Sequence, residues 1–142
     1  MRPLDSTDLE NVQSVDAVAA RTARRPPVAT RGAISFYART GHAFVAEDAG
    51  GVRGFALAQA VWDGTRPTVR LGTLAVAQSS DAEARAALLE AVTKSGYDAA
   101  VYDLTCEIPD GDDDARALLD AAGWTPQPIR VYGRTLGSRG AT

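Results

Sequence analysis

The sequence predicts an α/β fold: one mixed sheet, mostly antiparallel, with a parallel pair splaying apart at its centre and helices on both faces. Three observations carry this. Two strand-like runs, HAFVAED and VRGFALAQAVWDG, flank Ala49-Gly50-Gly51, whose glycines supply the positive φ of a tight hairpin. A second turn signal, Asp63-Gly64, leads into a third run covering about Thr68 to Ala77. A helical stretch separates that run from a later one, AAVYDLTCEI, and two strands joined through a helix pair in parallel.

A short first strand fits Arg2 to Leu4. A first helix is predicted from near Thr7, where Thr7 and Glu10 have capping-box spacing. Leu9, Val12, Val15 and Ala19 then form a helical apolar stripe. Pro26 and Pro27 stop it, and Arg21, Arg24 and Arg25 complement its dipole. A second helix fits Thr30 to Arg39, with Thr30 as N-cap, Gly41 just past the end, and Ile34, Tyr37 and Ala38 facing inward. In the hairpin strands, Phe44, Val45, Phe55, Leu57 and Val61 are the expected core residues.

The third helix covers about Asp81 to Ser95, with Ala84, Leu88, Ala91 and Val92 at helical spacing and Gly96 ending it. After AAVYDLTCEI, the loop PDGDDD leads into a short helix, ARALLDAA, closed by Gly123 with Trp124 packing behind it. A last strand is expected at IRVYGRTL.

With 142 residues, 45% of them hydrophobic and 23% charged, the chain is long enough for one core; residues 1–136 are expected to form one domain and residues 137–142 a loose tail. A net charge of −3 with scattered cations argues against nucleic acid as a partner. No apolar run approaches the roughly 20 residues that span a bilayer. The N-terminus MRPLDSTDLE has no apolar signal core, so a cytoplasmic location is expected. Cys106 is the only cysteine, which excludes an intrachain disulfide and a cysteine-ligated zinc or iron–sulfur site. No metal site is expected. The acidic loop fails as a calcium loop: counting from Asp110, Ala115 and Ala121 stand where glycine and glutamate are required.

The order of elements resembles the GNAT superfamily of acyl-CoA-dependent N-acyltransferases over nearly the whole chain. LAVAQSS resembles that superfamily's fourth strand, and DDDARALLDAAGW its late helix pattern N-x-x-A-x-x-x-Y-x-x-x-G-F. ARTGHAFVAED, GFALAQAVWDG and KSGYDAAVYD are similar to a small bacterial GNAT-like family of unknown function.

The resemblance implies acetyl-CoA as cofactor. It places the pantetheine arm along the backbone of Leu74, Ala75 and Val76 and the diphosphate at Ser80, Asp81, Ala82, Glu83, Ala84 and Arg85. Asp112 stands where the late-helix pattern has asparagine, and Leu119 where it has the tyrosine that protonates the leaving thiolate. The superfamily's phosphate loop, Q/R-x-x-G-x-G/A, uses glycines so that amides at a helix start can approach the phosphates. Residues 80–85 contain no glycine. Ser80 and Glu83 instead have capping-box spacing, and Asp81 and Glu83 put negative charge where the phosphate belongs. Weak acetyl-CoA binding, or none, is therefore expected.

Two candidates remain for base chemistry. His42 is the only histidine, and its ordinary pKa of about 6.5 suits a general base, although a lone histidine opening a strand is more often structural. Glu107 shares a strand face with Asp103 and Thr105 by alternation and ends that strand, where it could deprotonate an amine. Trp62, before a turn, could line a pocket or a rim. Two functions stay open: an N-acyltransferase acting on a small amine, or a non-catalytic GNAT-fold module for ligand binding or interaction, whose sheet edges and final strand could serve a homodimer.

Overall fold

The computed structural model of the chain describes residues 1–137; all of the anticipated tail except Gly137 lies outside them. Strand β1 (Arg2–Pro3) is followed by a single 3-10 turn at Ser6–Asp8 and by helix α1 (Leu9–Ala23). The capping pair is not Thr7 and Glu10. Asp8 reaches back to the backbone N–H of Asp5 at 2.8 Å and takes a forked ion pair from Arg2 at 2.7 and 2.9 Å. The entry is thus fixed two residues upstream of the predicted box, by a carboxylate that is itself buried.

The α1 stripe packs as read, with Val12 and Val15 buried. Its buried neighbour Asp16 accepts the backbone N–H groups of Val28 (2.7 Å) and Ala29 (2.9 Å) and an ion pair from Arg25 (2.9 Å). Arg25 therefore ties the connection to the helix rather than completing the helix dipole. Arg24 caps α1 in the left-handed region at φ 55°. Helix α2 (Arg31–Tyr37) starts as expected, with Thr30 accepting the N–H of Ala33 at 3.1 Å.

Strands β2 (Phe44–Asp48), β3 (Gly51–Asp63) and β4 (Arg66–Val76) form an antiparallel meander on the two predicted turns. Helix α3 (Ala82–Asp98) crosses over to β5 (Asp103–Cys106), which pairs with β4 in parallel. Helix α4 (Asp113–Ala121) follows. The sheet order is β1-β2-β3-β4-β5. Helices α1 and α2 cover one face over Val45, Phe55 and Leu57. Helices α3 and α4 cover the other over Ala56, Val69 and Leu71. Each large side chain so buried contributes about 1.5–3 kcal/mol.

Three sequence expectations are corrected. Helix α3 does not end at Gly96 but runs on to Asp98; a Cβ at Gly96 would sit 3.1 Å from the carbonyl oxygen of Val101, so this glycine serves a close approach inside the helix. The returning chain then consumes residues up to Tyr102, which shortens β5 from the ten predicted residues to four. The last strand does not form. Residues 129–136 are exposed and lie outside regular structure, without the ladder partners a strand needs.

Two bulges shape the sheet. Between β2 and β3, Ala46 pairs with Gly54 and Glu47 with Val52, which leaves Arg53 as the extra residue. Between β3 and β4, Leu57 pairs with Thr73 and Ala58 with Leu71, which leaves Gly72 as the extra residue.

Candidate functional site

The β4–β5 ladder stops early. Thr68 to Leu71 pair with Asp103 to Cys106, and the amide of Glu107 still reaches the carbonyl of Leu71 at 2.9 Å. Beyond Leu71 the strands separate. β4 continues to Val76, while the other chain turns off as the loop Ile108–Asp112. The wedge between them is a cleft of about 780 Å³. Gly72 to Val76 form one wall, Glu107 to Asp114 the other, and the end of α1, including Arg24 and Arg25, lies across it.

The bulge at Gly72 sits at the point of separation. Before it, Val69 and Leu71 point to the α3 core; after it, Leu74 and Val76 do, and Ala75 joins the opposite core. An unbroken strand would have put Thr73 and Ala75 with Val69 and Leu71. The extra residue thus rotates the strand by half its period at the mouth of the cleft. A glycine inside a strand run is the sequence sign of such a bulge, and it was readable at Gly72.

The structure brings Leu74, Ala75, Val76, Glu107 and Asp112 together in this cleft. Glu107 is half exposed and ion-paired to Arg70, whose Nε lies 2.8 Å from Oε1. Asp112 caps α4, accepting the amide of Ala115 at 3.1 Å. Leu119 is buried under α4 and carries no proton to give. The Cys106 thiol is pushed up to about 12, first by burial and then by the charges of Glu107 and Asp112, so no thiolate nucleophile is available there.

His42 stands apart from this cleft. It is 6% exposed, and its Nδ1 lies 2.8 Å from the hydroxyl of Ser95 on α3, beside a separate surface hollow near Arg2 and Asp98. Ser95 already donates its one hydroxyl hydrogen to the carbonyl of Val92 at 2.7 Å. Nδ1 must therefore be the donor to Ser95. Burial lowers the pKa of His42. Trp62, exposed at the tip of the β3–β4 hairpin, does not line the cleft either.

Residues 80–85 lie at the start of α3. The cap there is Asp81, not Ser80: its carboxylate accepts the amide of Ala84 at 3.0 Å. The amide of Ala82 is taken by the carbonyl of Ser80 at 2.9 Å. Glu83 does not fold back onto the cap but stands 87% exposed. From its bulge on β3, Arg53 closes a fork on Asp81 at 2.6 and 2.9 Å and comes within 4 Å of Asp48 and Glu83. That guanidinium holds the Asp81 carboxyl below the usual carboxylate range. Arg85 is 6% exposed and makes no ion pair among the described residues. No group of three or more acidic, histidine or cysteine side chains is placed to hold a metal among the described residues, and no helix among them is long and apolar enough to cross a membrane.

Comparison with known proteins places the chain. The family described as "Protein of unknown function (DUF1999)" matches residues 1–126, and the chain belongs to that family. Among solved structures, it is similar to wild-type TTHA1254 from Thermus thermophilus, with 37% identity over 97% of this chain and 98% of that one and a TM-score of 0.78. It is also similar to a ribosomal-protein-alanine N-acetyltransferase from Brucella melitensis biovar Abortus 2308 (16% identity, 94% and 96% covered, TM-score 0.70). A third similar structure is the aminoglycoside N-acetyltransferase AAC(6')-Iy in complex with CoA (18% identity, 92% and 90% covered, TM-score 0.70). These likenesses show the GNAT fold. No curated protein matches the sequence.

Proposed function

With that family and fold as premise, we propose that the chain is an N-acyltransferase that takes its acyl group from a weakly held acyl-CoA and passes it to a small cationic amine. The observation that carries this reading is the cleft that opens where β4 leaves β5 after Leu71. On that side the backbone of Leu74, Ala75 and Val76 has no strand partner, so it can pair with an extended pantetheine arm as one strand pairs with another. When bound, the acyl-CoA supplies a thioester whose C–S bond breaks as the amine's C–N bond forms, the sulfur leaving as thiolate.

The chain's own residues do the rest. Glu107 and the acidic loop Asp110–Asp114 give the opposite wall a negative charge, which draws a cationic amine and holds it near β4. Glu107 accepts the amine's proton. Solvent returns a proton to the thiolate, because Leu119 cannot.

The diphosphate end fits less well. The Asp81 carboxylate and the Cβ atoms of residues 80–85 occupy the approach to the helix amides. Arg85 is the cation left to oppose them. That end favours a second reading, a GNAT-fold module that binds a small amine without acyl-CoA. Calorimetric titration separates the two readings. On the first, acetyl-CoA binds with a dissociation constant near 1 mM, equivalent to about 4 kcal/mol, and S-acetyl-pantetheine, which lacks the diphosphate, binds equally well. Absence of saturable binding by both leaves the second.

A further inference from the structure

We infer that the hollow beside His42 is a second ligand site, which takes a small neutral ring molecule through one N–H or O–H group donating to Nε2 of His42. The hollow measures about 610 Å³ and lies between β1, the start of β2 and the last turns of α3. It shares no lining residue with the cleft between β4 and the loop Ile108–Asp112, so its ligand does not depend on the acyl-CoA reading.

His42 is fixed at one ring nitrogen and free at the other. The hydroxyl hydrogen of Ser95 goes to the carbonyl of Val92, so Nδ1 carries the imidazole proton and gives it to Ser95 at 2.8 Å. Nε2 of the neutral ring is then a bare lone pair, and no donor among the described residues meets it. Every sealed side-chain nitrogen or oxygen among the described residues has a partner, so an Nε2 without one reaches the surface. The surface that this ring lines is the hollow. A side chain only 6% exposed thus aims one uncommitted acceptor outward, in an orientation that Ser95 holds.

The surroundings select the ligand. Thr40 gives its hydroxyl hydrogen to the carbonyl of Ala58 at 2.7 Å and accepts the amide of His42 at 3.1 Å, so it adds no free donor to the wall. Pro3, Phe44, Ala91 and Ala99 supply apolar surface. At the rim, Lys94 and Asp98 pair with each other, and Arg2 is held by Asp8 and Glu47. No charge is left without a counter-ion, so an ionic ligand finds no partner that could offset its desolvation. A neutral ring with one donor covers the apolar wall and satisfies Nε2 together. An indole-type N–H reads the lone pair most strictly, because it donates and cannot accept.

His42 is the only histidine, so its imidazole resonances in the full chain report this site alone. At pH 8, nitrogen-15 spectra should show the proton on Nδ1 and none on Nε2. Indole should move these signals saturably, with a dissociation constant of about 0.1–1 mM and amide shifts centred on residues 40–44 and 91–99. 1-Methylindole has nearly the same shape without the N–H, and should bind about fivefold more weakly or worse. Saturating indole should also lower the pH midpoint of His42, because the proton and the indole N–H compete for one lone pair. The charged groups around the hollow, Arg2 on β1 and Lys94 and Asp98 on α3, are common to both titrations, so the difference belongs to the ligand. A proton on Nε2, ring signals that indole leaves unmoved, shifts centred on residues 72–76, equal binding of 1-methylindole, or an unmoved midpoint overturns the inference.

Discussion

Arg53 and Asp81 join a strand bulge to a helix cap: the guanidinium, displaced from the β3 ladder by the extra residue, forks onto the carboxylate that takes the Ala84 amide. One acidic side chain thus closes the α3 N-terminus and anchors it to the sheet.

Asp81→Ala should destabilise the fold by about 0.5–2 kcal/mol, the usual loss of a helix cap. Ser80→Ala should change stability by less than about 0.5 kcal/mol, because Ser80 is exposed and its hydroxyl takes no part in the cap. The Asp81 carboxyl titrates lower in the folded chain than in the unfolded one, chiefly through Arg53. Its contribution is present above about pH 4 and is lost as pH falls through the depressed value. Urea melts at pH 6 and pH 3 should show this loss in the wild type and much less of it in Asp81→Asn.

His42 gives a pH dependence in a different window. Burial lowers its folded pKa below the unfolded value of about 6.5, so the unfolded chain binds the proton first. Stability should be full above that value and decline as pH falls from it toward the lowered folded pKa. His42→Gln should flatten the profile between pH 7.5 and 5.5 in chemical denaturation. An acyl-transfer rate, once an amine substrate is in hand, should survive this substitution, because His42 lies outside the cleft.

Gly54→Ala should cost about 1–3 kcal/mol. A Cβ there would meet the carbonyl oxygen of Ala75 at 2.7 Å and the side chains of Leu88 and Val76 at 3.0 and 3.1 Å. The backbone oxygen cannot turn aside, so β4 or α3 must shift. Thermal melts of the single variant measure the cost, and acetyl-CoA titration of the same protein shows whether the cleft wall moves with it.

Much of this fold was legible because its signals are local. The glycines at the hairpin, Thr30 as N-cap and the α3 stripe each depend on neighbours within a few residues. The misreadings depend on distant partners. Thr7 and Glu10 had the spacing of a box, but Arg2 and the Asp5 amide recruit Asp8. Gly96 has the look of a stop in the sequence, and only the packing of Val101 against it shows otherwise. In the site, alternation placed Glu107 and the resemblance placed Leu74 to Val76. The role of Arg53 was hidden, because an arginine 28 residues before its carboxylate leaves no pattern in the chain.

Asp81→Gly combined with Glu83→Gly should strengthen acetyl-CoA binding by about tenfold or more, equivalent to at least about 1.4 kcal/mol. The double change removes two like charges and two Cβ atoms, frees the Ala84 amide, and leaves Arg53 without its main partner. Helix stability should fall at the same time, so calorimetry is best run well below the melting temperature. Unchanged affinity in a folded double variant would mean that the diphosphate does not approach this helix.

The single extra residue at Gly72 also makes the strand modular. Upstream of it, alternation is locked to β5 and the α3 core; downstream, the same alternation runs out of step and lines the cleft. Losing or gaining one residue at this point would invert the inward and outward positions of Thr73 to Val76 while leaving Arg66 to Leu71 in place. That inversion would carry Leu74 and Val76 out of the α3 core and Ala75 out of the opposite one, so both interiors hold the length of the strand at this point. The wall can therefore change its ligand preference through residues 109–112 of the facing loop, which pack into neither core, sooner than through the length of β4.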